Sequence, residues 1–299
     1  MTDQTGSIHK TVLLKETIEG LNLGQKSLVL DCTFGGGGHS KEILLRYPNI
    51  KVIAIDQDNT AWEKAKEKFK GLEDRITFIN RNFKDMDSGG VDAVIFDLGL
   101  SSDQLEFSGR GFSFMKNEML LMTMKENPGP EDLTASDVVN TWSEKSLADI
   151  IYGYGEERFS RRIARGIAEA RKKAKIENTF DLVKIIEDAV PTAYKRRKLP
   201  KKLHVATRTF QALRIAVNDE LGALQMGLEK GFKALKAGGR MSVISFHSLE
   251  DRIAKRFYKK MEKEGKAILI NKKPIIATKE EIKNNPRARS AKLRILSRL

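Results

Sequence analysis

Short apolar runs recur early in the chain, at residues 27–31, 51–56, 75–80 and 91–97, each ending in a polar residue. Between them the spacing turns helical. In 61–70, Trp62, Ala65 and Phe69 fall on one face. Short buried strands alternating with helices predict a parallel sheet in a doubly wound α/β layer. The alternation stops near 103 and does not return until about 207. In that stretch Asn127-Pro128-Gly129-Pro130 is a breaker. Short helices are predicted at 134–139, 144–151, 160–171 and 180–190, the third with an apolar stripe of Ile163, Ala164, Ile167 and Ala168. Beyond it, 209–235 reads as one long helix stopped by Gly238-Gly239. A fifth strand at 240–247, a helix at 251–263 and a terminal strand pair at 267–270 and 291–296 complete the pattern. The expected division is a sheet domain built from 1–103 and 208–299, interrupted by an all-helical insertion at 104–207.

Composition narrows the class. A length of 299 residues allows one large domain or two modest ones, and an apolar fraction of 40% is enough for a core. The single cysteine, Cys32, excludes an internal disulfide and a zinc cluster. The histidines (His9, His39, His204, His247) lack metal-ligand spacing, so no metal is expected. No apolar run is long enough to span a membrane and no signal-peptide pattern is present, so a soluble, cytoplasmic protein is expected. Formal net charge is +14, and it is uneven. Residues 191–214 carry eight basic residues and 282–299 carry six, with no acid in either. The rest of the chain is balanced, so the excess points to a polyanionic partner such as nucleic acid.

The compact run Leu28-Val29-Leu30-Asp31-Cys32-Thr33-Phe34-Gly35-Gly36-Gly37-Gly38-His39-Ser40 is a strand, a glycine loop and a helix start. Such a corner lets backbone approach a nucleotide closely. About twenty residues on, a second strand ends in Asp56, placed to accept hydrogen bonds from the ribose hydroxyls of an adenosine. Two adenosine cofactors suit this arrangement. A nicotinamide dinucleotide needs G-x-G-x-x-G/A and a pyrophosphate on the helix N-terminus. Here Ser40 stands at the third glycine position, and His39 would crowd the phosphates. S-adenosylmethionine carries no phosphate and escapes both objections. The fourth strand ends in Asp97, near the switch point where doubly wound sheets bind ligands. Asp97 is placed to orient an acceptor or the cofactor's amino group; capping a helix is its plainer role.

Six longer motifs carry a resemblance. They are His9–Glu16 (HKTVLLKE), the glycine run through His39-Ser40, Asp97-Leu98-Gly99-Leu100-Ser101-Ser102-Asp103-Gln104-Leu105, Arg110-Gly111-Phe112-Ser113-Phe114, the stretch ATRTFQALRIAVN at 206–218, and ISFHSLEDR at 244–252. Together they resemble the bacterial small-subunit ribosomal RNA cytosine-N4 methyltransferases (the H-type, or MraW, family), nearly end to end. The resemblance implies a Rossmann-like methyltransferase sheet with a helical domain inserted after the fourth strand. It implies S-adenosylmethionine as donor. Its implied acceptor is the N4 amine of a cytidine in the decoding region of small-subunit ribosomal RNA, within an assembled small subunit. Carried over by motif, the cofactor contacts are Gly37, Gly38 and His39 in the loop, Asp56 on the ribose, Phe83 against the adenine, and Asp97 and Gln104. Gly36 departs from the family, which often carries a larger residue there, but the Gly-Gly-His that follows is intact. Whether the chain forms a homodimer stays open at this stage.

The acceptor chemistry singles out Asp97. An exocyclic amine on cytosine has a delocalised lone pair and must shed a proton, so a positioned acceptor is needed. Many enzymes of this type carry an Asp/Asn-Pro-Pro-aromatic loop, whereas this chain has Asp97-Leu98-Gly99-Leu100. Ser101, Ser102, Ser245 and His247 are further candidates near the cleft; for His247 a place at a helix start is an equal reading. Phe112 and Phe114 are placed either to stack on an exposed base or to pack the insertion. The cluster Lys195, Arg196, Arg197 and Lys198 is the expected grip on RNA.

Overall fold

The computed structural model describes residues 10–25, 27–87, 89–101, 104–105, 108–192 and 204–299. His9, Ser102, Asp103 and the basic cluster at 195–202 lie outside the described residues. By internal packing the chain forms two units, Met1–Ser101 with Leu221–Leu299, and Ser102–Glu220.

The first unit is built on a sheet of β1 (Leu28–Asp31), β2 (Lys51–Asp56), β3 (Ile76–Asn80), β4 (Val91–Asp97), β5 (Leu235–Ser245), β6 (Ala267–Leu269), β7 (Ile275–Ile276) and β8 (Lys292–Arg298). The spatial order is β3-β2-β1-β4-β5-β8-β6, with β7 also on β8. β1 to β5 pair in parallel; β8 runs antiparallel to β5, β6 and β7. This is a Rossmann-like α/β sheet. Its helices are α1 (Leu14–Leu21), α2 (Gly38–Arg46) and α3 (Asn59–Ala65) before the second unit begins.

The second unit holds α4 (Ala135–Thr141), α5 (Glu144–Gly153), α6 (Ser160–Ala170), α7 (Thr179–Ala189) and α8 (Thr207–Asn218). α4 starts in a capping box between Thr134 and Asp137. The apolar stripe of α6 is buried as its spacing requires, with Ile163, Ala164 and Ile167 at 0% exposure. α6 packs between α5 and α7, and α8 lies on α5 and α4.

After α8 the chain returns through α9 (Glu220–Ala234), α10 (Ser248–Lys263) and α11 (Lys279–Asn284). The alternating residues of β4 explain its unbroken apolar run. Val94 and Phe96 face a core with Leu224, Leu228 and Phe232 of α9 and Tyr258 of α10. Ala93 and Ile95 face the other core, with Ile18, Ile43, Leu44 and Phe69. A parallel strand buried on both faces has no polar side to show.

Three expectations change. The single helix at 209–235 is two helices, because Asp219 adopts a left-handed conformation with φ 47°. The break is pinned from afar: the Asn218 amide donates to the Met122 carbonyl at 2.7 Å and accepts from Met124 N at 2.8 Å. Arg214 grips Glu220 with two bonds of 2.7 and 2.8 Å across the same break. α8 therefore packs with the helical unit, whose end falls at Glu220 and not at 207. Gly238-Gly239 does not end a helix: Leu235 already pairs with Val91, and 236–239 form an irregularity before Arg240 pairs with Ala93. Among the described residues no helix is long and apolar enough to cross a membrane.

Candidate functional site

In this sheet the strand order reverses between β1 and β4, and ligands of such sheets sit beyond the carboxyl ends of the strands at that point. Three aspartates end three neighbouring strands there: Asp31 on β1, Asp56 on β2 and Asp97 on β4. Asp31 accepts from Ser40 Oγ at 2.6 Å and from Thr33 N at 3.2 Å. Asp56 accepts from Gly35 N at 2.7 Å and Asp58 N at 2.9 Å. The Asp97 amide donates to Thr33 Oγ1 at 2.6 Å, tying β4 to the loop after β1. One Asp97 carboxylate oxygen, Oδ2, lies 3.5 Å from His39 Nδ1 at the start of α2. The other, Oδ1, is buried without a hydrogen-bond partner among the described residues.

The electrostatics follow from crowding acids in a dry place. Burial raises Asp31 and Asp56 to about 6 despite their hydrogen bonds. Burial raises Asp97 to about 8, and the charges of Asp31 and Glu250 push the same way. Asp97 keeps 22% of its side chain exposed and Asp56 is half-buried, whereas Asp31 is buried, so Asp56 and Asp97 are the members that open to a ligand. No lysine or arginine pairs with any of the three among the described residues.

The glycine loop is fixed by the aromatic cluster beneath it. Gly35 and Gly37 have φ of +50° and +72°, a region costly for other residues. A Cβ on Gly37 would meet the Phe34 and Phe69 rings at 2.7 Å, and one on Gly38 would meet Thr11 Oγ1 at 1.8 Å. Phe34 in turn packs on Phe69, Trp62 and Phe78 at centroid distances of 5.6 to 5.9 Å. The loop is thus clamped from below, and α2 begins with Gly38 directly above it.

The structure therefore brings Gly37, Gly38, His39, Asp56 and Asp97 to one edge of the sheet. Phe83 follows β3; its ring meets Phe96 edge-on at 5.5 Å and packs over Gly227, where a Cβ would approach to 2.6 Å. Gln104 belongs to the helical unit, where its carbonyl accepts from Ser108 Oγ at 2.6 Å. Asp97 ends its strand and caps no helix among the described residues. His247 is the N-cap of α10, in a capping box with Glu250. Phe112 is 7% exposed, and Phe114 stacks on His204 at 4.9 Å and meets Phe210 edge-on, so both rings are engaged in packing. Ser245 is buried, its hydroxyl 3.4 Å from the Lys292 carbonyl.

Several basic residues read as phosphate contacts are spent internally. Arg208 donates to the Glu156 carbonyl, Arg214 holds Glu220, and Arg294 holds Asp251. Arg298 caps the carbonyls of Phe232 and Lys233. Asp31 is the site residue the sequence did not single out. An acid closing an apolar strand just before a glycine loop was its visible signal.

These contacts choose between the two adenosine cofactors. A pyrophosphate at this edge would face three carboxylates with no paired cation. A sulfonium and an ammonium would find their charges met. The donor set therefore fits S-adenosylmethionine, and Gly37, Gly38, His39, Asp56 and Asp97 are the described residues at the edge that would hold it.

Comparison with known proteins agrees with this reading. Residues 6–299 match the model of the MraW methylase family. A ribosomal RNA small subunit methyltransferase H from Acaryochloris marina is 47% identical, over 100% of this chain and 97% of its own. Proteins of the same name from Lactobacillus johnsonii and Brevibacillus brevis are 43% and 44% identical; each alignment covers 97% of this chain and 99% and 98% of theirs. With the family model spanning nearly the whole chain and the acidic edge suited to a cationic donor, the chain belongs to the MraW methylase family.

Proposed function

We propose that this enzyme transfers a methyl group from S-adenosylmethionine to small-subunit ribosomal RNA, at the exocyclic N4 amine of a cytidine in the decoding region. The observation that carries it is the lysine-free set of Asp31, Asp56 and Asp97 at the switch point, with Asp97 Oδ1 buried and unpaired. The names of the relatives support ribosomal RNA of the small subunit as the acceptor. The cytidine and its N4 position rest on the motif resemblance.

The donor supplies an electrophilic methyl on a positively charged sulfur. The chain's residues do the rest. Asp56 accepts from the ribose, and the Gly37-Gly38 turn admits close backbone approach because no side chain stands there. Phe83 offers a ring beside the adenine. Asp97 holds the acceptor amine through its carboxylate, keeps it in line with the methyl, and takes up the proton that the amine sheds. For that it must be ionised. With a raised value near 8 it holds its proton in the free protein, and a cation bound beside it lowers that value and frees the carboxylate. Gln104 completes the cofactor contacts in this proposal.

The test uses small subunits lacking the modification, naked small-subunit RNA and duplex DNA, each offered with radiolabelled S-adenosylmethionine. Label should enter one cytidine of the subunits, as N4-methylcytidine by mass spectrometry of the digested RNA. Label on DNA, on another base, or on none of the three despite measured cofactor binding would refute the proposal.

A further inference from the structure

On the β5 side of the acidic edge lies a cavity of about 280 Å³. That is just below the range for small-ligand sites, roughly 300–1,000 Å³, and it suits one nucleotide unit better than a larger molecule. Its walls mix two chemistries. Phe246, Ile276 and Ile282 are apolar; Arg289, Lys292 and the hydroxyl-bearing Ser290 are not. Phe246 also borders the loop after Asp97, since a Cβ on Gly99 would meet its ring at 3.4 Å. One ring therefore separates the cavity from the turn that follows the methyl-transfer carboxylate.

The charges in the cavity are not balanced. Arg289 is exposed and makes no ion pair or hydrogen bond among the described residues. The Lys292 ammonium lies 3.3 Å from Asp251, but that carboxylate is already held by Arg294 at 2.7 Å. Two cations on one acid leave Lys292 able to serve a second anion. His247 borders the cavity too, its Nε2 buried 3.2 Å from Glu250 Oε1, so that acid is turned toward the imidazole and the capping amides. An uncommitted guanidinium beside a shared ammonium is the arrangement that takes a phosphate, through the two-pronged geometry of Arg.

We infer that this cavity seats a phosphodiester of the RNA strand next to the target nucleotide. Arg289 and Lys292 grip the phosphate, and Phe246 lies against the attached ribose or base. The site lies at the β5 end of the same strand edge as Asp97, so a strand lying across it presents its next nucleotide to the acceptor carboxylate. The inference rests on the ribosomal RNA reading above, and the test separates the two.

The full-length enzyme, Arg289→Ala and Arg289→Lys are compared on small subunits and on naked small-subunit RNA. Arg289→Ala should raise KM on both substrates by about tenfold, the loss of one charge-assisted hydrogen bond, with kcat little changed. The salt slope of binding to a single-stranded RNA oligonucleotide should fall by about 0.7, one phosphate contact. Arg289→Lys should keep the slope, and calorimetric S-adenosylmethionine affinity should be the same in all three. If the wild-type enzyme methylates RNA but Arg289→Ala leaves KM and slope unchanged, the cavity is not a phosphate seat. If KM rises on subunits while RNA binding is untouched, the partner is an acidic protein surface, and the inference is equally overturned. Failure of the wild-type enzyme on every RNA substrate refutes the ribosomal RNA reading itself and this inference with it.

Discussion

The proposed chemistry turns on Asp97, whose burial comes at a cost to the free protein. Its value stands near 8 in the folded chain, well above the ordinary carboxylate range, because burial and two neighbouring acids disfavour its charge. The folded state therefore binds a proton that the unfolded state releases. The contribution to stability is complete below the unfolded value and is lost as pH rises through about 8. Asp31 and Asp56 lose theirs earlier, through about 6. Asp97→Asn removes the penalty of burying that charge. By thermal unfolding without ligand, Asp97→Asn should match wild type near about pH 3, below the unfolded value, and exceed it by several degrees near about pH 9. An equal Tm gap at both values would mean that Asp97 is not the titrating group. Asp56 and Asp97 were legible from the sequence because an acid closing an apolar strand is a local signal; Asp31 carried the same signal but was not singled out. The orphaned Oδ1 and the approach of His39 were not, since they depend on α2 and β4 meeting across residues distant in the chain.

At the scale of elements, α9 shows how packing sets the place of Phe83, the ring proposed to lie beside the adenine. Gly227 and Gly231 let this helix lie directly on Phe83 and Phe96. In Gly227→Ala the new methyl would meet Phe83 at 2.6 Å, so the ring must move. The added helix propensity, about 1 kcal/mol, offsets part of the overpacking, which costs about 1–3 kcal/mol. Stability should change little, while S-adenosylmethionine affinity measured by calorimetry falls by about tenfold, as expected for disturbing one aromatic–base contact. Unchanged affinity with a shifted Tm would assign Phe83 to the core alone. The same helix marks a limit of sequence reasoning. Apolar spacing runs unbroken through Asn218-Asp219-Glu220, so periodicity reads one helix. The turn at Asp219 is imposed by bonds from Asn218 to Met122 and Met124, 96 and 94 residues away in sequence. By contrast the helices of the second unit were legible, because their caps and stripes are local: Thr134 with Asp137, Ser143, and Ile163 with Ile167.

At the scale of the whole molecule, charge is divided by function. The strand edge proposed to hold the donor is acidic, and the cavity on its β5 side is basic. Net charge alone pointed to a polyanion but overstated the contacts, since Arg208, Arg214, Arg294 and Arg298 serve the fold. Basic residues engaged in this way cannot be told from free ones by counting, because their carbonyl and carboxylate partners lie elsewhere in the chain. The cations proposed for RNA are Arg289 and Lys292 among the described residues, together with the proposed grip of Lys195 to Lys198. The central claim is that the acidic edge recognises a cationic donor and that Asp97 ionises when the donor binds. It is tested most directly by calorimetry of S-adenosylmethionine binding in buffers of different ionisation enthalpy, with wild type and Asp97→Asn side by side. Near about pH 7 the wild-type protein should release most of one proton per bound donor, the release should fade above about pH 9, and Asp97→Asn should lack it. Equal proton release by both proteins, or none by wild type, would contradict the assignment of Asp97 and of the acidic edge as the donor site.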